Sequence, residues 1–177
     1  ELGRQARRDP LTGLLNRRGF AQAAARILER ARRAGQPVAL AMGDLDHFKA
    51  INDRFGHPVG DEALVEVARR LELTVRPGDL VSRYGGEEFV VLLLGVQPGA
   101  ALALAERLRA TLAADPLPAL EREPLRSSWG VAFAHAPSDL DELVAEADRR
   151  LYLAKRGGRD RVMTGELPDL GLRPGQG

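Results

Sequence analysis

Two apolar runs separated by a short polar segment predict a β-hairpin near the middle of this chain. The runs are Leu80-Val81 and residues 89–94, and the segment reads Arg83-Tyr84-Gly85-Gly86-Glu87-Glu88. Its two glycines are expected to take positive φ angles, which allow a very tight turn. The adjacent carboxylates of Glu87 and Glu88 repel each other beside a buried strand, so we expect a cation or a hydrogen-bond-donating ligand to neutralise them. A solvated hairpin tip is the simpler alternative for these four residues taken alone.

The composition limits the classes of protein to which the chain can belong. Its 177 residues are enough for one domain with a substantial core. A net charge of +1 argues against a nucleic-acid partner, and the absence of cysteine excludes disulfides and thiolate metal sites. No apolar run approaches the roughly 20 residues that span a bilayer. We expect a cytoplasmic location, and because the chain begins with Glu1 rather than methionine, we expect it to be part of a longer protein.

Helical and strand-like patterns alternate along the chain. Apolar residues at helical spacing predict a helix from Phe20 to a stop at Gly35, and further helices over residues 61–73, 100–112 and 140–154. Continuous apolar runs predict strands at 38–42, 129–133 and 161–163. With the hairpin, this order predicts an α+β fold in which helices flank a mostly antiparallel central sheet.

The two ends of the chain carry weaker patterns. Residues 1–8 are polar and compatible with a helix, and we expect them to be the end of a helix from an upstream module. The domain itself is expected to occupy residues 9–164. Residues 165–177 are rich in proline and glycine, which predicts a loosely attached tail.

An aspartate stands where the predicted strand at 38–42 ends. If this strand neighbours the hairpin, Asp44 and Glu87 meet at one edge of the sheet. Two or three hard oxygen ligands with open coordination positions suit Mg²⁺, which usually takes few protein carboxylates and fills its other positions with phosphate oxygens and water. Taken alone, Asp44 is more simply explained as an ordinary acid at a strand end.

The residues after Asp44 suggest a site for phosphate groups. Asp46 is expected to be the N-cap of a short helix rather than a metal ligand. The amides of His47 and Phe48 would then open a helix N-terminus, which favours anions, and Lys49 would add a positive charge for a phosphate. A metal, a helix N-terminus and a lysine at one strand end together indicate a triphosphate site.

Two further polar residues have spacings that suit recognition of a base. Asn52 follows on the short helix, and Asp61 lies at the start of the next predicted helix. A carboxylate that accepts from the N1–H and the exocyclic amine of guanine would reject adenine, which lacks that pair of donors. The alternatives are that Asn52 caps a turn and that Asp61 caps its helix.

The last predicted helix ends with a cluster of basic residues. Lys155 and Arg159 would complement the negative end of the helix dipole, which is sufficient to explain them. Lys49 and Lys155 are, however, the only two lysines among 26 lysine and arginine residues. The second lysine at this helix end makes a phosphate-binding role more plausible.

These residues occur in a series of motifs through which the chain resembles the GGDEF domain of diguanylate cyclases, over about residues 9–162. In chain order the motifs are Asp9-Pro10-Leu11-Thr12-Gly13-Leu14-Leu15-Asn16-Arg17-Arg18, Asp44-Leu45-Asp46-His47-Phe48-Lys49-Ala50-Ile51-Asn52-Asp53, Phe55-Gly56-His57 with Gly60-Asp61, Gly85-Gly86-Glu87-Glu88-Phe89, and Ala147-Asp148 with Leu151-Tyr152-Leu153-Ala154-Lys155, Gly158-Arg159 and Arg161-Val162. Five separated motifs in the same order are a highly specific signal.

The resemblance implies a fold, a reaction and an assembly. The fold would be the antiparallel-sheet core of nucleotidyl cyclases and polymerase palms. The reaction would condense two GTP molecules into cyclic di-GMP and release two pyrophosphates. Because each domain would hold one GTP, a homodimer would be needed for activity, and a sensory domain upstream in the full-length protein would control how often two sites meet.

The resemblance also assigns roles to residues by matching position. Asp44, the Leu45 carbonyl and Glu87 would hold Mg²⁺, with Mn²⁺ as an alternative ion. Residues that would contact the phosphates are Lys49, Lys155, Arg159 and the amides around His47 and Phe48. Asn52 and Asp61 would recognise the guanine. Glu87, Glu88 and Lys49 would be the catalytic residues, and Glu88 would help to activate the 3′-hydroxyl.

A second site is implied five residues before the Gly-Gly-Glu-Glu segment. Arg76-Pro77-Gly78-Asp79 is a favourable turn sequence and needs no other explanation. In the family, an Arg-x-x-Asp motif at this distance forms a product-inhibition site for cyclic di-GMP. Arg76 and Asp79 would form that site here, and Arg107 matches a second arginine that can join it.

Departures from the family pattern are few and remove no ligand. The third signature residue is Glu87 rather than aspartate, and Asp160 replaces a frequent asparagine. Two other functions remain as alternatives: a catalytically silent domain that binds GTP or cyclic di-GMP and regulates a partner, and a cyclase that uses ATP. Retention of Asp44, Lys49 and both glutamates favours activity, and Asn52 with Asp61 disfavours ATP.

Overall fold

The computed structural model of the chain describes residues 7–136 and 139–167. In chain order its elements are α1 (Arg17–Ala34), β1 (Val38–Leu45), α2 (Phe48–Phe55), α3 (His57–Thr74), β2 (Leu80–Arg83), β3 (Glu88–Leu94), α4 (Pro98–Ala114), a short 3₁₀ turn (Pro118–Leu120), β4 (Ser127–Ala134), α5 (Leu140–Arg156) and β5 (Val162–Glu166).

The five strands form one sheet in the order β2-β3-β1-β4-β5. Neighbouring strands are antiparallel except for β4 and β5, which are parallel and are connected through α5. The central strand β1 pairs on both sides and is buried along its whole length. This arrangement confirms the predicted α+β fold with a mostly antiparallel sheet.

Helices cover both faces of the sheet, which explains why β1 reads as a continuous apolar run. Ala39, Ala41 and Leu45 contribute to the core on one face, which also contains buried residues of α3 and α4. Val38, Leu40 and Met42 contribute to the core on the other face, together with buried residues of α1 and α5. Successive side chains of a strand point to opposite faces, so one strand supplies both cores.

A glycine in β4 determines how closely α5 lies against the sheet. A Cβ atom at Gly130 would overlap the Ala147 carbonyl oxygen and the Leu151 amide nitrogen of α5. Only glycine permits this approach of helix backbone to strand backbone. The close packing brings the C-terminal end of α5 to the end of β1.

The predicted N-cap at Asp46 is wrong, and so is the alternative that Asp61 caps its helix. The N-cap of α2 is His47, in a left-handed conformation with φ 56°, and Asp46 instead bonds to residues of other segments. Helix α3 begins at His57 with proline in its first turn, so Asp61 lies inside the helix rather than at its cap.

The predicted turn at Gly85 and Gly86 also differs from the structure. Neither glycine is among the residues with positive φ. The amides of Tyr84 and Gly85 both donate to the Glu88 carbonyl, at 2.8 and 3.4 Å, and these bonds close the loop. A Cβ at Gly85 would lie 3.2 Å from Glu88 Oε2, so the glycine provides space there rather than an unusual backbone angle.

The ends of the described chain also depart from expectation. Arg8 pairs with Leu15 in an isolated β-bridge and is not helical, while residues 1–6 of the expected helix lie outside the described residues. Gly165 and Glu166 belong to β5 rather than to the tail, and the Leu167 amide donates to the Phe133 carbonyl. The remainder of the predicted tail also lies outside the described residues.

A buried arginine joins α3 to the C-terminal end of α4. Arg70 is 5% exposed, and its guanidinium donates to the carbonyls of Leu112 at 2.9 Å and Asp115 at 2.5 Å. Carbonyls at a helix end lack intrahelical partners, so this arginine acts as a cap from a different helix. Its Nε bonds to Glu66 Oε1 at 2.8 Å, which balances the buried charge.

Glu66 should contribute to stability in a pH-dependent way. Hydrogen bonds from Arg69 and Arg70 lower the pKa of Glu66 from 4.5 to about 2, although burial opposes this. The folded state therefore binds this proton less tightly than the unfolded state, so the stabilisation is complete above about pH 4.5 and is lost as the pH falls towards 2. We expect Glu66→Gln to lower the free energy of unfolding by about 1–3 kcal/mol at pH 7, and by less at pH 3.

Urea unfolding from pH 7 to pH 3 measures this effect. The matched control is Glu29→Gln, because Glu29 pairs with Arg32 and Arg33 on an exposed helix face. Its effect should stay below about 0.5 kcal/mol. A pH-independent difference between Glu66→Gln and the wild type would contradict the assignment.

Candidate active site

Carboxylates from two segments meet at the end of β1. Asp44 lies opposite Glu88 in the register of β1 and β3, and the Leu45 amide donates to the Glu87 carbonyl at 3.4 Å. The Asp44 side chain is 7% exposed, whereas Glu87 and Glu88 are half-buried. Burial raises the pKa of Asp44, the Lys155 ammonium lowers it and the charges of Glu87 and Glu88 raise it, so the pKa lies above its ordinary value. The hairpin therefore concentrates negative charge at this strand end.

Lys155 partly neutralises this charge. It lies near the C-terminal end of α5, and its Nζ is 2.5 Å from Asp44 Oδ2. The side chain is 35% exposed, so it borders the solvent while contacting a buried carboxylate. A cation or phosphate that enters the site would meet both partners of this ion pair.

The donor set fits a magnesium ion better than a metal that is enclosed by protein ligands. In residues 7–136 and 139–167, no three His, Cys, Asp or Glu side chains are grouped so that they could hold a metal. Asp44 and Glu87 supply two hard carboxylates, and the backbone of Leu45 adjoins both residues, because Leu45 follows Asp44 and its amide donates to the Glu87 carbonyl. Mg²⁺ commonly uses one or two carboxylates and completes its shell with phosphate oxygens and water.

The start of α2 adds positive potential at the same strand end. His47 is the N-cap, Phe48 is the first helical residue and Lys49 is exposed in the first turn. The first amides of a helix have no intrahelical acceptor and carry the positive end of the helix dipole. These three residues follow Asp44 and Leu45 after one intervening residue, Asp46, and form an environment suited to an anion.

Asn52 has a buried acceptor that lacks a partner. Its Oδ1 is buried and finds no hydrogen-bond donor among the described residues. It lies against Gly60 of α3, where a Cβ would overlap it, and the exposed Asp61 is the next residue. An unsatisfied buried acceptor costs roughly 1–3 kcal/mol, a cost that a ligand with a suitable donor would remove. The structure therefore brings Asn52 towards Asp61, two residues that sequence analysis had paired.

Arg159 lies on the turn that follows α5. It is exposed, and its amide donates to the Ala154 carbonyl at 3.0 Å. Asp160, the next residue, bonds through its amide to Asp46 Oδ2 at 2.9 Å. This contact of Asp46 was missed by sequence reasoning, because no local pattern indicates a partner 114 residues away.

A second contact that sequence reasoning missed holds the hairpin loop. Arg83 donates to the Gly86 carbonyl at 3.0 and 2.9 Å and forms an ion pair with Asp9 at 3.1 Å. Asp9 also accepts from the amide and the hydroxyl of Thr12, at 2.8 and 2.7 Å. Residues 9–12, which form part of the first motif, therefore support the loop that carries Glu87.

The predicted inhibition residues form a separate group. Arg76 forms an ion pair with Asp79 at 3.3 Å and donates to the Leu94 carbonyl at 3.0 Å. Arg107 donates to the Thr74 carbonyl at 3.3 Å, two residues before Arg76. A cavity of about 270 Å³ is lined by Arg76 and Asp79. The structure thus brings Arg76 and Asp79 together and places Arg107 beside the same helix end.

Comparison with known proteins identifies the family. The profile described as "Diguanylate cyclase, GGDEF domain" matches residues 6–161. The chain belongs to the GGDEF family. It is 44% identical to diguanylate cyclase DgcP of Pseudomonas aeruginosa over 156 residues, which are 87% of this chain and 23% of DgcP. It is 42% identical to diguanylate cyclase DgcM of Escherichia coli over 163 residues, 92% of this chain and 39% of DgcM. The chain therefore spans well under half the length of these curated relatives.

Solved structures agree with this membership. The GGDEF domain with coiled coil of DgcB from Caulobacter crescentus, in complex with c-di-GMP, has a TM-score of 0.86 and 30% identity, covering 93% of this chain and 88% of that one. An active GGEEF domain of a diguanylate cyclase from Vibrio cholerae has a TM-score of 0.79 and 34% identity, and the match covers 85% of this chain and 97% of that chain. Among the described helices of the present GGDEF domain, none has both the length and the apolar character needed to cross a membrane.

The contact between Asn52 and Gly60 can be tested by adding a methyl group. Glycine to alanine in a helix normally stabilises by about 0.5–1 kcal/mol. Gly60→Ala should instead destabilise by about 1–3 kcal/mol, because the new Cβ forces Asn52 out of its place. Urea unfolding measures the change, and Gly99→Ala in α4, where a Cβ meets nothing within 4 Å, is the control. Equal stabilisation by both substitutions would contradict the contact.

Proposed function

We propose that this GGDEF domain is a diguanylate cyclase that condenses two GTP molecules into cyclic di-GMP and two pyrophosphates. The observation that carries the proposal is the meeting of Asp44 with Glu87 and Glu88 at the end of β1, beside Lys155 and the start of α2. Carboxylates, a lysine and a helix N-terminus together suit a metal-bound triphosphate. The curated relatives, named diguanylate cyclases, support the same reaction.

The acidic residues would bind the metal. Asp44 and Glu87, with the Leu45 carbonyl, would hold Mg²⁺ or Mn²⁺. When bound, the ion would supply Lewis-acid polarisation of the phosphates and neutralise the carboxylates. The pKa of Asp44 is raised mainly by burial and further by the charges of Glu87 and Glu88, so an added positive charge beside it would be favourable, which supports this assignment.

Recognition of guanine would rest on α2 and α3. The exposed carboxylate of Asp61 can accept from the guanine N1–H and from its exocyclic amine, and Asn52 offers a buried acceptor that lacks a donor within the described chain. Adenine has no N1–H and would leave these acceptors unpaired. A site with unpaired buried polar groups discriminates strongly against the wrong base.

The basic residues would orient the triphosphate. Lys49 at the start of α2, Lys155 on Asp44 and Arg159 on the turn after α5 would contact the phosphates, with the amides of His47 and Phe48. Bond formation joins the 3′-oxygen of one GTP to the α-phosphorus of the other, and the bond to pyrophosphate breaks. Glu88, opposite Asp44, would accept the proton of the attacking hydroxyl.

Turnover would require two copies of the domain. Each copy offers one set of these groups and so holds one GTP, whereas each new bond needs the hydroxyl of a second GTP placed in line. A sensory domain upstream would then regulate activity by altering how often two sites face each other.

Turnover measured across protein concentration tests the proposal. With GTP and Mg²⁺, the amount of cyclic di-GMP formed per mole of protein should rise with protein concentration. Glu87→Gln should reduce turnover by at least about a hundredfold through the loss of one metal ligand, with little change in the melting temperature. The control is Glu142→Gln on the exposed face of α5. Absence of product even from a domain fused to a dimerising coiled coil would favour the silent, nucleotide-binding alternative.

Product inhibition is expected at the group formed by Arg76, Asp79 and Arg107. The Asp79 side chain is 2% exposed but the Arg76 side chain is 51% exposed, so the guanidinium of this ion pair is accessible to a guanine that offers it acceptors. Arg76→Ala should weaken binding of cyclic di-GMP by about tenfold or more and relieve inhibition, with the initial rate unchanged. Arg33→Ala on the exposed face of α1 is the control. Unchanged inhibition in Arg76→Ala would exclude the site.

A further inference from the structure

The turn after α5 has an uncommon backbone conformation. Gly158, Arg159 and Asp160 have φ angles of 115°, 65° and 45°. For residues other than glycine, the left-handed region costs roughly 1–2 kcal/mol per residue, so contacts elsewhere must hold the turn. The middle residue is Arg159, to which the proposed function gives a phosphate contact.

Asp46 makes one of the contacts that hold this turn. Its Oδ2 accepts from the Asp160 amide at 2.9 Å, and its Oδ1 accepts from the Ser128 hydroxyl at 2.6 Å. The Asp46 amide donates to the Arg126 carbonyl at 2.9 Å. Asp46 is 9% exposed, and its carboxylate joins the end of β1 to β4 and to the turn. It does not cap α2, and within residues 7–136 and 139–167 it joins no group of three acidic or imidazole side chains that could hold a metal.

Two arginines hold the turn from its other side. The Asp160 carboxylate accepts from Arg109 of α4 at 2.8 Å and from Arg126 at 3.0 Å. Partial burial raises the pKa of Asp160, but these two hydrogen bonds outweigh it, so the carboxylate stays ionised and charge-assisted. The amide of this residue binds Asp46 and its side chain binds the arginines, so the backbone at 160 is fixed from both directions.

Arg159 itself depends on this backbone for its direction. Its amide bonds to the Ala154 carbonyl, and the next amide bonds to Asp46. Its side chain is exposed, and the described part of the chain provides it with no ion pair. Ordering a free arginine costs conformational entropy when it binds a ligand, and a fixed backbone reduces that cost.

We propose that Asp46 is a positioning residue: it ties the Gly158–Asp160 turn to the strand that carries Asp44, and thereby sets Arg159 against the triphosphate that Asp44 and Glu87 bind through metal. The inference rests on the proposed function and concerns that same site. Asp46 would touch neither substrate nor metal and would act through Arg159.

Binding of α,β-methylene GTP with Mg²⁺, measured by calorimetry, tests the inference without turnover or dimer formation. Asp46→Ala and Arg159→Ala should each weaken binding by about tenfold, as the loss of one charge-assisted contact does. If Asp46 acts through Arg159, the double substitution should also weaken binding by about tenfold rather than by a hundredfold. A hundredfold loss in the double variant, or unchanged binding by Asp46→Ala, would overturn the inference.

Conservative variants separate positioning from general stability. In Asp46→Asn, the amide oxygen can accept from Asp160 while the amide nitrogen donates to the Ser128 hydroxyl oxygen, so affinity should stay within about threefold of wild type. Ser128→Ala removes a buried hydrogen bond but leaves the Asp160 contact, and should also retain affinity. Loss of affinity in Ser128→Ala equal to that in Asp46→Ala would indicate a merely structural role and overturn the inference.

Two controls complete the design. Asp141→Ala removes the same charge from the exposed first turn of α5 and should bind like the wild type. Thermal unfolding of each variant confirms that the calorimetry reports on folded protein. If the wild type fails to bind the analogue, both the proposed function and this inference are overturned. If the wild type binds and Asp46→Ala binds equally well, only the inference is overturned.

Discussion

The placement of like charges at the end of a buried strand governs the rest of this structure. Asp44 lies next to the last residue of β1, the central strand of the sheet, and the hairpin of β2 and β3 brings Glu87 and Glu88 beside it. Burial and repulsion raise the pKa of Asp44, so the arrangement is unfavourable by itself. Each neighbouring element offsets it with positive charge or dipole: α5 through Lys155, and α2 through its N-terminus. A site for a metal ion and a polyanion requires both negatively and positively charged groups close together.

The positions of these compensating groups follow from backbone packing. Gly130 lets α5 lie directly on β4, which brings Lys155 to Asp44. Gly60 leaves room for the Asn52 amide between α2 and α3. The guanidinium of Arg70 holds the end of α4, and α4 in turn presents Arg109 to the turn that carries Arg159. Lys155 of α5 and the start of α2 therefore lie at the end of β1 because these helices are fixed against the sheet.

The sequence predicted what local patterns encode. Hydrophobic periodicity predicted the strands, the longer helices and the α+β class, because the spacing of apolar residues depends on whether one or both faces of an element are buried. It also paired Asn52 with Asp61 and Asp44 with Glu87, because their motifs are short and lie at the ends of recognisable elements. Local patterns could not predict contacts between distant parts of the chain. Arg83 bonds to Asp9 across 74 positions, and the Asp160 amide bonds to Asp46 across 114 positions. The prediction that Asp46 is an N-cap was wrong because its carboxylate is engaged by hydrogen bonds from distant segments. The alternative that Asp61 caps its helix was also wrong, because α3 already begins at His57, with a proline in its first turn.

The choice of lysine at the centre of the site has a physical reason. Of 26 lysine and arginine residues only two are lysines, and one of them, Lys155, contacts Asp44. A guanidinium binds a carboxylate through two parallel hydrogen bonds and would engage both oxygens of Asp44. An ammonium is a compact charge that bonds to one oxygen, here Oδ2, and leaves the other available to a metal ion. The four-carbon chain also lets the charge turn towards a phosphate without moving α5. In a chain that uses arginine nearly everywhere else, the lysine at position 155 neutralises Asp44 through a bond to one oxygen of its carboxylate.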